Sequence, residues 1–159
     1  MAVEIERKFL VVGDTWRATA QGTAYRQGYL CNRTESNVRI RIGGNAAWLT
    51  IKGKTVGMSR PEFEYPLPLA DAEELLLLCQ QPLIEKTRYC LEHAGHTWEV
   101  DVFGGDNAGL VMAEIELQDP GQIFDVPDWV GKEVTQDPRY YNACLQQNPY
   151  RQWSAAADV

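Results

Sequence analysis

The chain has no apolar run approaching the ~20 residues that cross a bilayer. It has no C-x-x-C pair: Cys31, Cys79, Cys90 and Cys144 stand far apart. The close ligand pairs of a zinc site are therefore missing, and four reduced, mostly buried thiols are expected. Only two histidines occur, His93 and His96. They flank an expected hairpin turn and read as surface residues. No basic stripe is present and the net charge is −7, which argues against general nucleic-acid binding. That charge still allows a small polyanion, because such a ligand responds to the local field and to bound cations. The opening Met1-Ala2-Val3-Glu4-Ile5-Glu6 is acidic where a signal peptide is basic and then apolar, so a cytoplasmic protein is expected. There is no repeat, low-complexity stretch or linker. The 159 residues suit one domain, with 1–150 as its body and 151–159 as a flexible tail; the small, polar stretch from Gln152 onward is expected to fray.

Strand-like segments dominate what is there. They cover residues 3–11, 24–32, 37–42, 47–52, 59–67, 83–93, 96–103 and 110–117. Gly43-Gly44-Asn45 and Ala94-Gly95 read as hairpin turns. Helices are expected at 71–80, capped by Asp71, and at 138–147, with Pro138 near its start. Short helices are expected at 14–21 and 120–124.

Alternate side chains of a strand share a face. By that rule Glu4, Glu6 and Lys8 lie together, opposite Ile5 and Phe9. Arg39 with Arg41, Glu62 with Glu64, Lys86 with Arg88, Glu99 with Asp101, and Glu114 with Glu116 form further like-charged pairs. Lys52 opposes Leu49 and Ile51. An ordinary one-sided antiparallel sheet also alternates in this way. Two features favour a functional face instead: like charges recur two residues apart, and arginine dominates the basic pairs, as bidentate phosphate contacts prefer. Eight strands can close into a barrel with no free edge. Facing inward, these residues would form a lumen of mixed acids and bases, costly to desolvate unless a charged ligand and its metal fill it.

Glu4-Ile5-Glu6-Arg7-Lys8 resembles the E-x-E-x-K signature of the CYTH superfamily, the triphosphate tunnel metalloenzymes. Arg26-Gln27-Gly28-Tyr29-Leu30, Val38-Arg39-Ile40-Arg41, Leu49-Thr50-Ile51-Lys52-Gly53, Glu62-Phe63-Glu64, Glu85-Lys86-Thr87-Arg88-Tyr89, Glu99-Val100-Asp101-Val102-Phe103 and Glu114-Ile115-Glu116 follow in the family's order. The stretch from Gly131 to Tyr140 is similar to its closing motif. The resemblance implies a mainly β (α+β) fold: a closed eight-stranded antiparallel tunnel with a few flanking helices and a C-terminal helix. It implies Mg²⁺ or Mn²⁺ on Glu4, Glu6, Glu114 and Glu116, with Glu62, Glu64 and Asp101 as further ligands or water-holders. It implies phosphate binding by Lys8, Arg39, Arg41, Lys86 and Arg88, and a catalytic pair of Tyr29 and Lys52. On that reading the ammonium lowers the phenol's pKa and the phenolate takes the attacking water's proton; a carboxylate near the metal is the competing base. Which of Lys132, Arg139 or Arg151 approaches the tunnel is left open, as is whether the tunnel is closed or cup-shaped.

The expected function is hydrolysis of inorganic triphosphate to diphosphate and phosphate. A thiamine- or nucleoside-triphosphatase is the alternative. An adenylate cyclase is disfavoured, since the histidine motif of class IV cyclases is absent. A non-catalytic polyphosphate-binding module and an ordinary interaction domain are the remaining readings. The partner is a small triphosphate rather than nucleic acid or membrane, and both monomer and homodimer are open.

Overall fold

The computed structural model describes residues 3–153. Nine strands occur in chain order: β1 (Val3–Val11), β2 (Gly22–Asn32), β3 (Ser36–Gly43), β4 (Ala46–Gly53), β5 (Ser59–Leu67), β6 (Ile84–His93), β7 (His96–Phe103), β8 (Val111–Glu116) and β9 (Val130–Glu133). Two α-helices join them, α1 (Leu69–Leu78) and α2 (Asn142–Gln147). The sheet runs β5-β4-β3-β2-β6-β7-β8-β1 and closes where β5 pairs with β1, giving an eight-stranded antiparallel barrel. Every expected strand is present.

β1 is the seam. One edge pairs with β8, from Glu6 opposite Glu116 to Leu10 opposite Met112. The other edge is shared. β5 takes residues Val3, Glu4 and Ile5, and β9 takes Phe9 and Val11. The handover is hydrogen-bonded: Glu6 N donates to Met58 O at 3.2 Å, and Lys8 O accepts from Val134 N at 2.8 Å. β9 was not anticipated. Its four residues include Gly131 and show no alternation to read.

The alternation of each strand puts apolar side chains outside, where short elements cover them. α1 lays Ala72 and Leu76 on Ile40, Ile42 and Ala47. Trp16, from a 3-10 turn at Thr15–Thr19, and the half-buried Phe124 and Trp129 cover Phe9, Trp98, Val100, Ala113 and Ile115. A third cluster closes one end of the barrel. There Tyr29, Ile84, Phe103, Leu110 and Met112 meet Val134, Tyr140 and Leu145 of the C-terminal segment.

Several local expectations are corrected. α1 begins at Leu69 with Pro68 at the cap position, so Asp71 lies in the first turn rather than capping it. Residues 120–124 form no helix; Asp119 Oδ1 accepts from Gly121 N at 2.7 Å and holds a turn. The region 14–21 contains only the 3-10 turn. The expected 138–147 helix breaks at Tyr141, whose ψ of 136° separates a 3-10 turn (Pro138–Tyr140) from α2. Gln152 and Trp153 do not fray: Gln152 closes a 3-10 turn, and Trp153 packs edge-on against Tyr140 and Tyr150. The rest of the expected tail, 154–159, lies outside the described residues. The cysteines are free, but only Cys79 is buried and Cys90 is exposed. His96 is half-buried rather than at the surface, beside Gln122 and the ring of Phe124.

Trp98 is fully buried, and its indole N–H finds no partner among the described residues. Its contribution is packing. Trp98→Ala is expected to cost about 3–5 kcal/mol in urea unfolding. Trp98→Phe should cost distinctly less, because no hydrogen bond is lost with the indole.

Candidate functional site inside the barrel

The inward faces enclose a cavity of about 180 Å³. Seven carboxylates and seven cations line it, together with Tyr29 and Asn142. The sequence-derived set converges here: Glu4, Glu6, Glu62, Glu64, Glu114, Glu116, Lys8, Arg39, Arg41, Lys52, Lys86, Arg88 and Tyr29 all reach it. Asp101 does not face the open space. It lies buried behind the wall and holds two of the cations.

The acids and bases neutralise one another. Lys8 Nζ lies 2.6 Å from Glu114 Oε1 and 2.9 Å from Glu6 Oε1. Lys52 Nζ bonds both oxygens of Glu4 at 3.1 Å and lies 3.3 Å from Glu62. Arg88 places Nε and Nη2 on the two oxygens of Asp101 at 2.7 and 2.8 Å, and Nη1 on Glu99 at 3.0 Å. Lys86 Nζ completes that group, 2.8 Å from Asp101 and 3.0 Å from Asn142 Oδ1.

These contacts set the protonation states. Burial opposes the Asp101 carboxylate, yet Lys86 and Arg88 hold it down at about 2. Burial lowers the Lys86 ammonium to about 7, against Asp101 and with help from Arg88 and Arg41. Burial also opposes the Lys8 ammonium, but Glu114 and Glu6 raise it. Burial depresses Lys52, aided by Arg39 and resisted by Glu4. The Tyr29 phenol is pushed up by burial, against the pull of Arg39, Arg60, Arg41 and Lys8. The expectation that it would be lowered is corrected: desolvation outweighs the nearby cations.

Two arginines stand apart from this pairing. Arg41 has no carboxylate in ion-pair range among the described residues; it donates to Gln27 Oε1 at 3.2 Å and lies over the ring of Tyr25. Burial, Arg39 and Arg88 lower it to about 10. Arg39 reaches Thr50 at 3.3 Å and Glu64 only at 3.8 Å, and its buried Nε has no hydrogen-bond partner among the described residues. Both side chains line the cavity.

Opposite them the acids crowd. Burial raises Glu6, with Glu114 and Glu4 adding to it. Burial raises Glu116, with Glu4, Glu62 and Glu6 adding. Among the described residues no three acids form a ready-made metal-holding group. The donor chemistry nevertheless fits a hard divalent cation, since the donors are all oxygen and a cation would relieve their mutual repulsion.

Two lining residues escaped the sequence reading. Arg60 shares strand parity with Glu62 and Glu64 and could have been found by that signal. Asn142 could not, because it reaches the lumen only when the chain returns to close the barrel end. Of the three cations left open, none lines the cavity: Lys132 and Arg151 are exposed, and Arg139 pairs with Asp137 at 2.7 Å.

A closed antiparallel barrel whose interior combines carboxylates with guanidinium and ammonium groups defines a tunnel-type site for a small polyanion. The family model described as CYTH domain matches residues 2–141, and the chain belongs to this family. It is 50% identical over 152 residues to an inorganic triphosphatase of Acetivibrio thermocellus, covering 95% of this chain and 97% of that protein. It is 38% identical over 146 residues to an inorganic triphosphatase of Nitrosomonas europaea, covering 89% and 95%. The crystal structure of the inorganic triphosphatase NE1496 superposes with a TM-score of 0.67 at 35% identity, covering 92% of this chain and 95% of that one. No helix among the described residues is long and apolar enough to cross a membrane.

Removing one member of a buried ion group leaves the others uncompensated. Asp101→Asn leaves Lys86 with no carboxylate in ion-pair range among the described residues and Arg88 with Glu99 alone, and should cost about 3–5 kcal/mol by urea denaturation. Glu64→Gln, at the exposed rim, should cost less than about 1 kcal/mol in the same measurement.

Proposed function

We propose that this protein hydrolyses inorganic triphosphate to diphosphate and orthophosphate inside the barrel, with Mg²⁺ or Mn²⁺ as cofactor. The observation that carries this reading is the wall of buried cations around Arg39 and Arg41: Arg41 has no carboxylate in ion-pair range among the described residues, and Arg39 reaches one, Glu64, only at 3.8 Å and leaves its buried Nε unpartnered among them. The two relatives above, both named inorganic triphosphatase, support it. The cavity of about 180 Å³ lies below the ~300–1,000 Å³ of pockets for drug-sized ligands, which favours a small anion over a nucleotide. The free cysteines fit a reducing cytoplasm.

Glu4, Glu6, Glu114 and Glu116 would hold the metal, assisted by Glu62 and Glu64. When bound, the metal neutralises phosphate charge and activates water. The chain's own residues do the rest. Arg39, Arg41, Arg88, Lys86 and Lys8 bind the phosphate oxygens and stabilise charge on the transferred group by contacts already in place. The apolar cluster at the barrel end excludes bulk water from the reacting phosphate. Tyr29 and Lys52 manage the proton of the attacking water. Burial moves them in opposite directions: Tyr29 Oη keeps its proton more firmly than a free phenol, and Lys52 Nζ gives its proton up more readily than a free amine. Lys52 Nζ, once it has given up the proton it holds against Glu4 and Glu62, is the acceptor, with Tyr29 Oη donating to a phosphate oxygen.

Phosphate release from triphosphate should exceed that from thiamine triphosphate or ATP by kcat/KM, should require Mg²⁺ or Mn²⁺, and should cease with chelator. Preference for ATP or thiamine triphosphate would overturn the substrate assignment. Lys52→Ala should lower kcat by about 10²–10⁴-fold, as loss of a positioned proton acceptor does. Tyr29→Phe should lower it less while leaving the melting temperature nearly unchanged. Near-normal turnover in both variants would remove the pair.

A further inference from the structure

The lumen does not end at its apolar plug. A small space of about 20 Å³ shares Glu4, Glu6, Lys8 and Arg60 with the lumen and also touches Tyr141. Beyond it lies an open groove of about 460 Å³ between the β2–β3 and β4–β5 connections and α2. Arg60 borders all three spaces. The groove's charged lining residues are Arg33, Lys54 and Arg60, with no carboxylate among them. Lys54 has no ion pair among the described residues, and Arg33 reaches only Ser36 Oγ, at 3.4 Å.

The other end of the barrel is the reverse. Strand direction places Glu64, Glu99 and Glu116 at the far mouth, and their side chains are partly or largely exposed. An anion freed in the lumen without a metal therefore faces carboxylates at one mouth, and at the other Glu4 and Glu6 offset by Lys8 and Arg60, with the groove's cations beyond. The small space holds about one water, so an anion passes only if a side chain moves. Arg60 suits that motion: its ion pair, to Glu4, is long at 3.5 Å. Tyr141, which borders the small space together with Thr55, Met58 and Thr135, is anchored by its hydroxyl to Thr135 O at 2.9 Å.

We propose that the Arg33–Lys54–Arg60 groove is an orthophosphate site through which product leaves the lumen, with Arg60 as the movable side chain between the two spaces. The choice of orthophosphate rests on the triphosphatase reading; the anion site itself does not.

The test uses the full chain, with inorganic phosphate as the probe and no metal present. Phosphate binding is followed by ³¹P line broadening or calorimetry. The double variant Arg33→Ala/Lys54→Ala should weaken it by about tenfold, the loss expected for two exposed cationic contacts. Both side chains are exposed, so folding should survive, and an unchanged melting temperature checks this. In turnover assays, phosphate in the groove should lower kcat, whereas phosphate in the lumen competes with triphosphate. The double variant should lose the first effect and keep the second. Undiminished phosphate affinity in the variant, or inhibition that is purely competitive in both proteins, overturns the proposal. A chain that turns over no triphosphate but still loses phosphate binding in the variant would keep the anion site and remove only the triphosphatase reading.

Discussion

The structure depends on buried ions of opposite sign being neutralised across the lumen. An isolated charge in such a space costs several kcal/mol to desolvate, and a pair recovers that only with good geometry. Here geometry comes from register. Lys8 stands opposite Glu114, Arg88 opposite Asp101, and Lys52 opposite Glu62 across neighbouring strands. In these three pairs the partner is set by backbone pairing, whereas Glu6 opposite Glu116 and Glu99 opposite Glu114 bring like charges together. The cost is met locally and the barrel can remain closed around a polar interior.

That arrangement also prepares the site for a ligand. On the proposed function, phosphate oxygens would take the place of Glu6, Glu114 and Glu4 beside Lys8 and Lys52, and a divalent cation would take the released carboxylates. Each half of the exchange would relieve the charges that the other half leaves unpaired. Asp101 is the fixed point. Tied to Lys86 and Arg88 behind the wall, it keeps both cations aimed inward whichever partner occupies the lumen. The outer apolar shell, with Trp98, Val100 and Ile115 fully buried, supplies the stability that the polar interior does not.

How much of this could be read from residues follows from the period of the strand. Two-residue alternation is local, so Glu4-x-Glu6-x-Lys8 and Arg39-x-Arg41 declared their faces without any coordinates. The choice between an inward and an outward charged face needed closure, and closure is a long-range event between β5 and β1. The same limit explains what was missed. β9 is too short to alternate. Asn142 acts from a helix start whose position depends on the break at Tyr141. Arg60 carried the right parity within a strand whose bounds were legible, but it is a lone cation two residues before an acidic pair, so it did not fit the like-charged pattern. The phenol of Tyr29 was misjudged for a related reason: sequence shows neighbouring charge, whereas desolvation depends on the whole enclosure.

The exchange of partners is tested most directly by calorimetric binding of triphosphate to the slowed Tyr29→Phe variant, with Mg²⁺ and then with chelator. If acids and bases must be released together, the metal should tighten binding by about 5–150-fold, the usual range of coupling between two ligands. Equal affinity in chelator would show that the cations bind triphosphate without freeing the carboxylates, and would contradict the account.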